Sequence, residues 1–221
     1  MKLWNFRPFL FLCFALLSPF GSALADTPPP TFTGHAAKMQ LLDLLSDPIL
    51  VNDLYLKNRI TRVVSIADDG AVGANIEWEQ KKSPKFFIEE QREGADMIQA
   101  GVALKDTKLI DKGIKVLDWG FNHQADSGEF PETRDAVHSV SFFVEAVSRS
   151  ILLLEQGRCG YDAKIQQWLP KLQKAAQWMI PASANEASRI KDLYPFTHRY
   201  YILGAGLAQT ALLLHDNAMA A

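Results

Sequence analysis

Residues 139–154, Ser139-Val140-Ser141-Phe142-Phe143-Val144-Glu145-Ala146-Val147-Ser148-Arg149-Ser150-Ile151-Leu152-Leu153-Leu154, decide the fold class. Val140, Val144, Val147, Ile151 and Leu154 recur at spacings of 4, 3, 4 and 3, the stripe that a helix buries. Strand alternation is absent there. Working outward, Ser83-Pro84 reads as an N-cap with proline at the first helical position, opening a helix over 84–104. Asp106 opens another, with Leu109, Ile110, Ile114, Leu117 and Phe121 on one side. From Asp162, residues Ile165, Trp168, Leu169, Leu172 and Met179 share a face, with Pro170 as a kink. A fifth helix follows Pro195 and Thr197 through Ile202, Leu207 and Leu212, and weaker helical patterns cover 35–46 and 49–67. The chain therefore reads as all-α, built from antiparallel helical hairpins.

Connection lengths alternate. Helices over 84–104 and 106–122 almost touch in sequence, and a tight Gln156-Gly157-Arg158-Cys159-Gly160 joins 139–156 to 162–179. Residues 68–83, 123–138 and 180–197 read instead as loops of about 16 to 18 residues, long for helix connections. In a series of hairpins every second connection lies at the same end, so the long loops are expected on one face, where binding and catalysis usually sit. Trp119 and Trp178, each near the end of a helix before a polar loop, give a faint repeat of roughly 55 to 60 residues.

Before this region lies an export pattern. Lys2 and Arg7 precede an apolar run from Phe9 to Leu17, and Ala23-Leu24-Ala25 supplies small residues for cleavage. The run is too short to span a bilayer, and Pro19 and Gly21 interrupt any helix beyond it. Residues 1–25 thus read as a signal peptide, 26–33 with Pro28-Pro29-Pro30 as a leader, and 34–221 as one helical domain that is periplasmic or secreted, with no stable membrane anchor after cleavage. The 23 basic and 25 acidic residues of the 221 give no field that points to nucleic acid. Removing 1–25 leaves Cys159 as the one cysteine, which excludes an internal disulfide. No P-loop, Gly-x-Ser-x-Gly elbow or His-Glu-x-x-His pattern occurs, so no cofactor and no metal site are expected.

Two stretches carry candidate chemistry. The first, His123-Gln124-Ala125-Asp126-Ser127-Gly128-Glu129-Phe130-Pro131-Glu132-Thr133-Arg134-Asp135-Ala136-Val137-His138, gathers two histidines, one arginine and several carboxylates. Paired carboxylates divide acid and base work, and Arg134 beside them can clamp an anionic sugar. Glu129, Glu132 and Asp135 equally suit a solvated loop ending in an N-cap at Asp135. His138, in the first turn of the next helix, suits a neutral base, whereas His123 can instead cap the preceding helix. The second stretch is Tyr194-Pro195-Phe196-Thr197-His198-Arg199-Tyr200-Tyr201. With Thr197 as N-cap, it sets His198, Arg199 and Tyr200 in one turn, and at least one of Tyr200 and Tyr201 is expected in the core. Arg199 would neutralise a sugar carboxylate, a histidine or tyrosine would take the acidified proton, and a tyrosine would protonate the departing oxygen.

Gly128-Glu129-Phe130-Pro131, the run from His138 to Glu145, and Tyr194 to Tyr201 followed by Leu203-Gly204-Ala205-Gly206-Leu207 resemble exported (α/α) toroid proteins, the alginate-lyase-like polysaccharide lyases and six-hairpin glycosidases. The resemblance covers roughly residues 84–215 and implies a cleft built from loops at helix starts. It implies roles for Tyr194 or Tyr200, His138 or His198, and Arg199. About seven helices are too few for a full toroid, which implies a reduced or incomplete one. The expected activity is cleavage of an acidic polysaccharide by β-elimination, with hydrolysis as the alternative. A rival from another class is a non-catalytic scaffold binding a glycan or a protein, a second copy of the chain included, through the open edges of the incomplete ring.

Overall fold

The computed structural model describes residues 65–80, 84–190, 197–216 and 219. The expected signal peptide, the leader, the helix over 35–46, most of that over 49–67, Ser83, and the candidate Tyr194 with Pro195 and Phe196 lie outside them. Among the described residues every regular element is helical: α1 Ala74–Glu79, a 3-10 helix Ile88–Arg92, α2 Glu93–Leu104, α3 Thr107–Asn122, α4 Ala136–Gly157, α5 Asp162–Ile190 and α6 Thr197–Leu214. Two isolated bridges, Ile66 with Val72 and Phe86 with Thr133, are the extended pairings among the described residues.

Helix α4 is the centre. It packs against α2, the 3-10 helix, α5 and α6. The whole stripe Val140, Val144, Val147, Ile151 and Leu154 is buried, but so are Phe143, Ala146, Leu152 and Leu153, because neighbours cover more than one face. Its composition and length would allow it to cross a membrane, yet most of it is enclosed by the other helices. Four serines make this close packing feasible by being small, and each is buried. Three send their hydroxyl protons back to the helix: Ser141 to the His138 carbonyl at 2.7 Å, Ser148 to Val144 at 2.6 Å and Ser150 to Ala146 at 2.7 Å. A buried hydroxyl satisfied this way leaves no unpaired polar group in the apolar surround. Gly206 of α6 then comes so close that an added Cβ would lie 3.2 Å from the Glu145 nitrogen.

Asp106 heads α3, its carboxylate accepting from the Lys108 and Leu109 amides at 3.0 and 3.2 Å. Lys105 and Asp106 alone separate α2 from α3, and glycines set their contact. A Cβ on Gly113 would meet the Gly94 carbonyl oxygen at 2.4 Å and the Ile98 side chain at 2.8 Å. Gly113→Ala is therefore expected to cost about 1–3 kcal/mol through overpacking, measured by urea denaturation, whereas Gly204→Ala, inside α6 with nothing within 4 Å of the added Cβ, should stabilise by about 0.5–1 kcal/mol.

Several expectations are corrected. Residues 84–87 do not begin the helix. Phe86 is buried and bridged to Thr133, and the Phe87 amide donates to Asn75 Oδ1 at 2.7 Å, so side-chain burial and non-local bonds override the Ser-Pro start signal. Ser65, Ile66 and Ala67 are not helical, ending any helix over 49–67 before them, and α1 lies within the expected loop 68–83. Residues 180–190 continue α5 instead of forming a loop, since Ala182, Ala184, Glu186 and Ala187 favour helix and Pro181 is accommodated inside it. The alternation of short and long connections is thereby reduced to one long connection among the described residues, 123–135, between α3 and α4.

Burial also acts on a carboxyl of the 3-10 helix. Glu90 Oε2 accepts the Ala74 amide at 2.6 Å, and desolvation raises its pKa despite that bond. A carboxyl whose pKa is higher folded than unfolded contributes stability below the ordinary carboxylate range and loses it as pH rises through the folded value. Glu90→Gln keeps an acceptor for Ala74 without the buried charge, so its melting temperature at pH 7 should exceed that of the parent, and the difference should vanish in acid.

Candidate functional site

The site lies at the first turn of α4, which meets the 3-10 helix on one side and the start of α6 on the other. The parallel bridge between Phe86 and Thr133, with the Arg134 amide donating to the Phe86 carbonyl at 3.0 Å and the Ile88 amide to Thr133 Oγ1 at 3.1 Å, sets the 3-10 helix beside the start of α4. Glu89 is thereby brought to Ser139. That hydroxyl lies between the Glu89 carboxylate and the Arg134 carbonyl, one proton for two acceptors.

His138 and His198 face each other there. Their ring centroids are 5.7 Å apart at a steep 73° angle, and the His138 ring also stands edge-on to Phe142 at 4.9 Å. Arg92 lies over the other residue of this stack, its Cζ 4.8 Å from the Phe142 centroid. Arg199, next to His198, donates from Nη2 to Asp135 Oδ2 at 2.8 Å. Four of the expected residues, Asp135, His138, His198 and Arg199, are thus one cluster.

Its electrostatics favour an uncharged His138. Burial foremost, then the Arg199 guanidinium, holds that imidazole below the ordinary histidine range, with His198 adding a smaller push in the same direction. Asp135 and Glu89 pull the other way without reversing it. His138 Nδ1 is buried and has no hydrogen-bond partner among the described residues. A neutral imidazole beside a fixed cation is the pairing needed to take a proton from carbon next to a carboxylate.

Asp135 departs from the expected N-cap. It holds the N-cap position of α4 with φ 46° and ψ 62°, the left-handed region, and makes no side-chain cap bond, because its carboxylate goes to Arg199 instead.

Other candidates fall elsewhere. His123 Nδ1 is 2.8 Å from the Trp119 carbonyl, to which it must donate, so it caps α3. Its Nε2 faces Glu79 Oε1 at 3.5 Å, and its ring joins Trp78, Phe86 and Trp119. The Trp119 indole N–H is shared by Asp69 Oδ2 at 3.1 Å and Glu79 Oε1 at 3.2 Å. No described contact joins this cluster to the histidine pair. Glu132 is exposed and Glu129 half-buried on a loop pinned to α5, where Gln124 Nε2 donates to the Lys171 carbonyl at 2.9 Å. Arg134 is exposed, its Cζ 5.7 Å from the Phe87 centroid. Tyr200 and Tyr201 are 47% and 75% exposed, so neither is the expected core tyrosine. The faces of α6 that meet α4 and α5 are filled instead by Gly206, Thr210 and Leu213.

Glu89 and Ser139 were not singled out from sequence. Glu89 sits in a charged Glu-Glu-Gln run that reads as a solvated helix face, and its partner is 50 residues away. No local pattern signals such a contact. Among the described residues no group of three or more His, Cys, Asp or Glu is placed to hold a metal ion. Comparison with known proteins returns no family model, no curated relative and no solved structure that matches the chain.

Proposed function

We propose that this chain is an exported carbohydrate-active enzyme that cleaves an acidic polysaccharide by β-elimination, working at the start of α4 and α6. The observation that carries the reading is the His138–His198 pair, 5.7 Å between centroids, beside the Arg199–Asp135 ion pair. In this reading Arg199 neutralises the uronate carboxylate, which acidifies the adjacent C–H. Neutral His138 or His198 takes that proton, the electron pair forms the ring double bond, and the glycosidic C–O bond breaks. Tyr200, in the same turn as His198 and open to solvent, supplies the proton to the leaving oxygen. Glu89 and Ser139 position the start of α4. The finer architecture belongs to the same proposal: α2 with α3 and α4 with α5, joined by short connections, are two hairpins of a reduced or incomplete toroid. The export pattern at residues 1–25 supports a periplasmic or secreted location.

A non-catalytic glycan-binding scaffold is favoured by one observation, the exposure of two adjacent tyrosines, since flat phenol rings suit stacking on sugars. One screen separates the readings. The purified chain is incubated with alginate, pectate, hyaluronan and a neutral glucan, and both ultraviolet absorbance and reducing ends are followed. Absorbance from an unsaturated uronic product supports elimination. Reducing ends without it indicate a hydrolase, and binding without either product indicates the scaffold.

A further inference from the structure

The protein contains its own comparison for the residue that heads a helix. Asp106 precedes α3 with an extended φ of −100°, and its carboxylate accepts two amide protons of the first turn. Asp135 precedes α4 in the same role by position, yet adopts φ 46° and caps nothing with its side chain. An aspartate is among the preferred N-caps, and a non-glycine residue in the left-handed region is held there by its surroundings. The Asp135 carboxylate pairs instead with Arg199, 2.8 Å away. The pair is partly open to water, with side-chain exposures of 36% for Asp135 and 25% for Arg199, so solvent weakens it and a second anion can compete for it.

We propose that Asp135 is a specificity-determining residue: its carboxylate holds the place on Arg199 that a substrate carboxylate takes, and once displaced it turns to cap α4. This rests on the reading of Arg199 as the carboxylate-binding group. Exchange of one carboxylate for another keeps Arg199 paired, and the negative charge that the substrate adds is met by Asp135 moving toward the positive end of α4. A neutral sugar offers no charge to replace Asp135 and leaves the ion pair closed. Displacement also releases the Asp135 side chain to the unfilled cap of α4, so the carboxylate gains a partner at the moment it loses one. The site thereby discriminates acidic from neutral sugars through a competitor that it carries itself.

The test is calorimetric titration of the full chain with sodium glucuronate and with glucose, using the parent, Asp135→Asn and Arg199→Gln. Asparagine tolerates a left-handed φ and keeps an oxygen for the cap but carries no charge, so the substitution removes the competitor and little else. Glucuronate should bind Asp135→Asn roughly two- to fivefold more tightly than the parent, the equilibrium worth of one partly exposed ion pair. Glucose affinity should be unchanged, and Arg199→Gln should lose glucuronate binding. If the parent binds glucuronate and Asp135→Asn binds it equally or more weakly, Asp135 is no competitor and the proposal is overturned while the uronate reading stands. If neither binds glucuronate, the uronate reading falls and takes this one with it.

Discussion

Arg149→Met is expected to destabilise the protein by about 3–5 kcal/mol. Arg149 lies in α4 and faces α2, with little access to solvent. It donates from Nε to Glu145 at 3.0 Å and from Nη1 to Gln99 at 2.8 Å, with Asp96 at 3.3 Å. Side-chain exposure is 15% for Arg149, 12% for Asp96 and 17% for Glu145, so two carboxylates share one cation with little water among them. Burial alone would lower the arginine pKa. The two carboxylates and their hydrogen bonds outweigh it, raising the pKa and keeping the guanidinium charged. Methionine fills a similar volume but leaves both carboxylates enclosed without a cation. The loss should be read as a lower urea midpoint, and Arg149→Met with Asp96→Asn should recover part of it, because neutralising a stranded charge removes part of the cost. A change within about 0.5 kcal/mol would show that the cluster is open to solvent.

The second large effect concerns activity. If the elimination reading holds, His138→Ala should lower kcat by about 10²–10⁴, the usual worth of a positioned general base, while the urea midpoint moves little. The ring removed has a buried nitrogen without a described partner, so its contribution to packing is offset by an unmet polar group. The pH dependence has a definite sign. A base held below the ordinary histidine range stays neutral further into acid, so the acid limb of kcat/KM should fall below that range. Stability follows the same linkage: as pH drops through the ordinary histidine range the unfolded chain takes up a proton that folded His138 resists, and the folded state loses ground. His138→Ala should flatten that slope. A fall in stability without a fall in kcat would assign the residue to structure alone.

The helical character of the chain and the core of α4 and α5 were legible because apolar periodicity records burial directly. Val140, Val144, Val147 and Ile151 are fully buried, and Ile165, Trp168, Leu172 and Met179 line the inner face of α5. His138 and His198 do come together, but the alternation of connections from which a shared cleft was expected does not hold among the described residues, and the Asp135–Arg199 pairing beside them was not anticipated. What could not be read was set by non-local contacts. Phe86 leaves the helical pattern to pair with Thr133, Glu89 reaches Ser139, and Asp135 abandons its cap for Arg199. Tyr200 and Tyr201 were misplaced for a related reason. Aromatic residues at a helix start suggest burial, but small residues on α6, Gly206 above all, make its close approach to α4.

The placement of His138 on the most enclosed helix has a further consequence. Amide protons in the interior of α4 are shielded by four neighbouring elements, so they should exchange with solvent only when the whole domain opens. Glu89 and Ser139 fasten the first turn of α4, and Phe142 holds the imidazole from below. The interior turns of α4 should therefore hold until the domain unfolds, and rearrangement on this side of the site is confined to the first turn, which bears Asp135 and His138.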